Sequence, residues 1–214
     1  MTKRNPGAAY PSPLTKSYLK RVLELAAISF ERGWHPGTGG NFSVRGPHDI
    51  AWVSASGQHK GEMGLGDFLP IHVATAAVSS GVYRKPSDET ALHCAIYRQD
   101  ADARSVLHVH TPHTVALAQA PLTLASNEML KVFGLKTHES SIVIPILPNT
   151  QDMQTLGHTV GPLLDTALKI LVLEGHGVYA WGANPDEAMY RIEALEYLCQ
   201  LQFYRRPSLS VAGS

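Results

Sequence analysis

The chain of 214 residues balances 18 Lys and Arg against 18 Asp and Glu, for a formal net charge of zero with histidine neutral. Its 44% apolar content suffices for a sizeable core and excludes wholesale disorder. At about 100–200 residues per domain, one domain is expected. With no basic run beyond Arg205-Arg206, composition argues against nucleic acid as the main partner, because phosphate neutralisation needs clustered Lys and Arg. No apolar stretch approaches the roughly 18–20 residues of a membrane helix. Met1 to Pro13 lack the apolar region of a secretory signal. Two cysteines, Cys94 and Cys199, give no disulfide framework and fit a reducing cytoplasm. The eleven histidines are the compositional oddity.

In chain order, residues 1–13 read as a loose tail rich in proline and small residues. Thr15 to Arg32 carry Tyr18, Val22, Leu25 and Ser29 at helical spacing, with Thr15 as N-cap and Gly33 as terminator. Trp34 to Asn41 must be a loop. Asn41–Arg45 and Ile50–Ser54 flank Gly46-Pro47-His48-Asp49 as a hairpin. A second glycine-bearing loop spans 54–66, and 68–73 reads as a strand. Ser87 is a helix cap followed by acids, the helix running to about Gln99. Residues 104–110 form a strand bounded by Thr111-Pro112, which opens another helix. Residues 127–133 suggest a short helix, 142–147 one strand, and 151–165 a helix weakened by Gly157 and Gly161. Residues 168–173 and 178–181 are buried strands around Glu174-Gly175-His176-Gly177. Asn184-Pro185-Asp186-Glu187 starts a helix with an apolar stripe through Met189, Ile192, Leu195, Leu198 and Leu201. Interleaved helices and strands predict one α/β domain over residues 14–206 with a partly antiparallel sheet, and a C-terminal tail at 207–214.

The chemistry concentrates in His108-Val109-His110. Side chains two apart on a strand share a face, so both imidazoles can reach one point and begin a zinc-type site. The pattern alone is weak and fits one core and one surface histidine better. A third imidazole, His176, sits between two glycines in a tight bend. Glycine-rich loops at 37–40 and 54–61 offer backbone N–H groups to a phosphate, although neither has dinucleotide or Walker spacing. Glu89 and Glu128 are carboxylates in helix-start contexts near these loops. His93, His113, His138 and His158 fit structural or solvent roles, and Cys94 packs as a small apolar group.

Taken in order, Gly40-Asn41-Phe42-Ser43-Val44-Arg45, Ser54-Ala55-Ser56-Gly57, Lys60-Gly61, Pro86-Ser87-Asp88-Glu89-Thr90, His108-Val109-His110-Thr111, Glu128-Met129-Leu130-Lys131 and Gly175 to Gly182 resemble the class II aldolase family across residues 15–205. The resemblance implies a three-layer α/β/α sandwich with a mostly antiparallel central sheet. It implies one Zn2+ per subunit on His108, His110 and His176. Asn41, Ser56, Gly57, Lys60 and Ser87 lie where relatives hold a substrate phosphate. Glu128 matches an acid/base, and Glu89 stands where the family's aldolases keep a catalytic glutamate. Within the family, Trp34-His35-Pro36, the segment 128–131 and the run 175–182 favour dehydration of 5-(methylthio)ribulose 1-phosphate in methionine salvage. The alternative is an aldolase or epimerase acting on fuculose, rhamnulose or ribulose phosphate. The family also implies a cytoplasmic homotetramer with sites near subunit interfaces.

Overall fold

The computed structural model describes residues 10–79, 82–119 and 121–206; most of the expected tails, 1–9 and 207–214, lies outside them. Helix α1 (Pro13–Glu31) begins earlier than the periodicity indicates, because Ser12 is the cap: its Oγ accepts from the Thr15 amide at 3.2 Å, with Pro13 in the first turn. Strands β1 (Asn41–Arg45) and β2 (Ile50–Ser54) form the expected antiparallel hairpin. Strand β3 (Phe68–His72) pairs antiparallel with β2. Helix α2 (Thr90–Gln99) has Glu89, not Ser87, at its cap position. The Ser87 hydroxyl instead receives the Glu89 amide at 3.4 Å, which turns the chain so that the Glu89 side chain leaves the helix end.

Strand β4 (Ser105–Val109) leads through Thr111 into helix α3 (Pro112–Leu117). Strand β5 (Leu122–Ala125) has no counterpart in the sequence reading, and the expected short helix at 127–133 is a 3-10 segment, Glu128–Phe133, capped by Asn127. The single strand expected at 142–147 is two. Strand β6 (Ser141–Ile144) pairs with β5 in a separate small sheet, while β7 (Ile146–Leu147) joins the main sheet. Pro145 divides them: it has no N–H to give a ladder, and its carbonyl accepts from Val172 at 3.0 Å. The helix expected at 151–165 is α4 (Met153–Thr159) followed by a 3-10 turn at Gly161–Leu163. Strands β8 (Ile170–Leu173) and β9 (Gly177–Gly182) precede α5 (Pro185–Tyr204), whose cap Asn184 accepts from the Glu187 amide.

The main sheet runs β3-β2-β1-β4-β9-β8-β7, and every neighbouring pair is antiparallel except β7 and β8. Strand alternation sends side chains to two cores. Phe42, Val44, Leu107, Val109, Val178 and Ala180 pack against α1 and α5 residues such as Leu19, Val22, Ile192 and Leu195. Val53, Val106, Leu171, Tyr179 and Trp181 pack against α2 and α4 residues such as Leu92, Ile96 and Met153. The result is the three-layer α/β/α arrangement, with the sheet buried on both sides. Each fully buried large side chain contributes about 1.5–3 kcal/mol. His108 shares the parity of Val106, so it faces the α2 side, where Glu89 stands.

Candidate metal centre and active site

Central strand β4 carries His108 near its end, and His110 follows just beyond, its amide anchored to the Trp34 carbonyl at 2.9 Å. His108 is fully buried, and its Nδ1 donates to the Val178 carbonyl at 3.0 Å. That bond places the proton on Nδ1 and leaves the Nε2 lone pair free. His176 arrives from the bend between β8 and β9. Glycine is required next to it: a Cβ on Gly177 would meet the Val109 carbonyl at 2.5 Å and the His108 and His110 rings at 2.9 Å. Gly40 is similarly constrained, with φ +78° and a would-be Cβ 2.6 Å from both the His108 carbonyl and the His35 ring.

The three imidazoles converge. One donor atom from each of His108, His110 and His176 lies within 4.8 Å of the other two. The Nε2 atoms of His108 and His110 are 3.0 Å apart, near the roughly 3.3 Å between two nitrogens on a tetrahedral zinc. Nδ1 of His176 is buried without a hydrogen-bond partner. Burial holds the His108 pKa well below its ordinary value and lowers His110 to about 4, so both present neutral lone pairs. Three converging imidazole nitrogens, beside a buried His176 Nδ1 that has no protein partner, fit a divalent cation.

Glu89 closes the cluster. Its Oε1 is 3.0 Å from His176 Nε2, its Oε2 is 3.4 Å from His108 Nε2, and Asn41 Nδ2 donates to Oε2. Burial alone would raise its pKa. The facing His108 and the hydrogen bonds from His176 and Asn41 outweigh that and hold the carboxyl below the usual range. The Tyr179 ring lies stacked on His108, and its buried hydroxyl closes no hydrogen bond. A cavity of about 400 Å³ opens on this cluster, lined by Asp88, Glu89, His110, Asn149, Gln151, Met153, Gly175 and His176. Asn149 and Gln151 carry no motif, so their place at the site was invisible in the sequence, and Tyr179 stands in the 175–182 run without being marked there as a site residue.

The glycine loops assemble beside one another. Lys60, 2% exposed, donates from Nζ to the Thr38 carbonyl at 2.9 Å and the Gln58 carbonyl at 2.7 Å. It thereby ties loop 37–40 to loop 54–61, and burial lowers its pKa to about 8. The Ser56 amide donates to the Lys85 carbonyl, and Ala55 bridges to Pro86, which brings Ser56, Gly57 and Ser87 into one loop cluster. Asn41 is committed to Glu89 and His93. Glu128 is not in the histidine cluster of its own chain. It is exposed, paired with Lys131 at 2.5 Å and His138 at 3.5 Å, in a separate cavity of about 410 Å³ with Ser126, Asn127, Met129, His138 and Tyr197.

The sequence profile described as Class II Aldolase and Adducin N-terminal domain matches residues 20–203. A methylthioribulose-1-phosphate dehydratase of Granulibacter bethesdensis is 40% identical over 185 residues, covering 82% of this chain and 86% of its own. The enzyme of the same name from Acidiphilium cryptum is 36% identical over 207 residues, covering 93% and 97%. Among solved structures, YgbL of Escherichia coli superposes with a TM-score of 0.74 at 22% identity, covering 91% of this chain and 93% of that one. L-fuculose-1-phosphate aldolase of Thermus thermophilus gives 0.71 at 23%, covering 89% and 96%. At that identity the two structures establish the fold alone.

Proposed function

The chain belongs to the class II aldolase and adducin N-terminal domain family, and on that footing we propose that it is a metal-dependent hydro-lyase of methionine salvage. Its reaction is the dehydration of 5-(methylthio)ribulose 1-phosphate to 2,3-diketo-5-methylthiopentyl 1-phosphate. Two findings support this reading: relatives of that activity at 34–40% identity over most of the chain, and the site geometry. The observation that carries the chemistry is the Glu89 carboxyl group 3.0 Å and 3.4 Å from two of three converging imidazoles.

His108, His110 and His176 would hold one zinc ion, which when bound supplies Lewis-acid stabilisation to the substrate ketone and its developing negative charge. The chain's own groups do the rest. Glu89, an acceptor-only carboxylate, takes the proton from carbon 3, which the adjacent ketone acidifies. The electron pair forms the C3–C4 double bond as the hydroxyl leaves carbon 4, and that hydroxyl takes up a proton to depart as water. The resulting enol becomes the 2,3-diketone by moving its hydroxyl proton to carbon 4. A positioned acid or base of this kind contributes about 10²–10⁴-fold. Loops 37–40 and 54–61, with Ser56, Gly57, Lys60 and Ser87, hold the phosphate and convert remote binding energy into orientation. Glu128 is the second proton-transfer group, acting on the leaving hydroxyl. Because it stands in a cavity that shares no residue with the histidine cavity, it serves the site of a neighbouring copy in a homotetramer.

Glu89 also favours a second reading, since the family's aldolases keep their glutamate there. Incubating the purified protein with methylthioribulose 1-phosphate separates the two: the dehydratase yields a diketone, suppressed by chelator and restored by zinc, with no dihydroxyacetone phosphate. Release of a triose phosphate from a deoxyhexulose 1-phosphate, without diketone formation, would establish the aldolase instead. No helix among the described residues is long and apolar enough to cross a membrane, and Cys94 and Cys199 are buried free thiols; both suit the cytoplasm this reading implies.

A further inference from the structure

A row of buried polar side chains runs from Glu89 into the sheet face covered by α2. Asn41 Nδ2 donates to Glu89 Oε2, and Asn41 Oδ1 lies 2.5 Å from His93 Nε2. His93 Nδ1 is 2.7 Å from Ser43 Oγ, which is 2.7 Å from the Tyr97 hydroxyl. Ser43, His93 and Tyr97 are fully buried, and Asn41 is 4% exposed. Local structure explains the alignment: Asn41 and Ser43 share one face of β1, and His93 and Tyr97 are one turn apart on α2.

The row has one self-consistent polarity. Asn41 turns its amide N–H toward Glu89, whose Oε2 accepts it. Its oxygen then faces His93 Nε2, which must carry hydrogen. A neutral imidazole has one such hydrogen, so Nδ1 is bare and accepts from Ser43, whose oxygen accepts from Tyr97. Burial lowers His93 to about 4, in keeping with a neutral ring. With the opposite tautomer, Nε2 would accept from Asn41, which requires flipping the amide and giving up the Nδ2–H bond to Glu89 Oε2.

We propose that His93 is a positioning residue: as its Nε2–H tautomer, backed by Ser43 and Tyr97, it fixes the Asn41 amide and through it the aim of the Glu89 carboxylate. This rests on the dehydratase reading for its consequence in turnover, but not for the tautomer itself. Losing such an outer partner typically costs about 10–100-fold in activity.

Nitrogen-15 NMR of the imidazoles in the zinc-loaded, full-length protein at neutral pH tests the relay without any assay. A neutral His93 protonated at Nε2 is expected; an Nδ1–H tautomer or an imidazolium would overturn the proposal. In turnover, His93→Leu should lower kcat about 10–100-fold with KM within a factor of about two and zinc content unchanged. His93→Gln, whose amide can still donate to Asn41, should recover part of the loss. Full kcat in a folded, zinc-loaded His93→Leu would overturn the role, as would equal loss in Leu and Gln variants. If the wild type shows no dehydratase activity, the functional reading fails while the NMR result still decides the relay.

Discussion

The Tyr179 ring lies flat on the His108 imidazole, with ring centroids 3.9 Å apart and planes 12° from parallel. The two residues are cross-strand partners of β9 and β4, so the backbone register sets the stack, and the stack keeps the buried imidazole from rotating. The Tyr179 hydroxyl is buried facing Glu89 without closing a hydrogen bond, a condition that normally costs about 1–3 kcal/mol.

Tyr179→Phe should therefore keep full zinc content and be at least as stable as the wild type by thermal melting. Tyr179→Ala should lose about 3–5 kcal/mol through the cavity it leaves and bind zinc more weakly. A marked destabilisation by the phenylalanine variant would show that the hydroxyl is bonded after all.

Glu128→Gln and His176→Ala should each be inactive, the first with zinc and the second without. Reassembled together from dissociated subunits, they should regain turnover, because sites pairing an intact histidine set with a neighbour's Glu128 re-form. A mixture as inactive as its components would contradict service across an interface.

Lys60→Met removes the amino group that joins the carbonyls of Thr38 and Gln58. Zinc content should hold, stability should fall by about 1–3 kcal/mol, and KM for the sugar phosphate should rise more than kcat falls. An unchanged KM would detach these loops from the phosphate.

Asp100, buried at the opposite end of β4, accepts from Trp181 Nε1 at 2.9 Å and pairs with Lys169 at 3.0 Å. Burial would raise its pKa, but Lys169 and the hydrogen bonds from Trp181 and the Asp102 amide lower it. A carboxyl depressed on folding adds stability above its unfolded pKa of about 3.9 and loses it as pH falls through the folded value. Asp100→Asn should thus be about 1–3 kcal/mol less stable at pH 7, the gap to wild type closing in acid. A gap that persists unchanged below the folded pKa would assign the loss to packing.

The sequence disclosed the site where chemistry and local pattern coincide. An H-x-H pair at a strand end has its shared face dictated by the two-residue period, and His176 between glycines marks a bend. Helix α5 announces itself through Asn184, Pro185 and its apolar stripe. Other features depend on partners chosen in three dimensions. Nothing local distinguishes Ile142 to Ile144, which pair with β5, from Ile146-Leu147, which pair with β8, until Pro145 is seen turning the chain between sheets. The resemblance sets Asn41 among the phosphate-holding residues, but its bonds to Glu89 and His93 exist only because β1 packs against α2. The resemblance assigns Glu128 to the catalytic centre, yet within its own chain it lines a different cavity.

Metal content after exhaustive dialysis most directly tests the three-imidazole centre. The wild type should retain one zinc per chain, and His108→Ala, His110→Ala and His176→Ala should each retain almost none while keeping the wild-type circular dichroism spectrum. A folded His176→Ala that still holds one equivalent would contradict the centre.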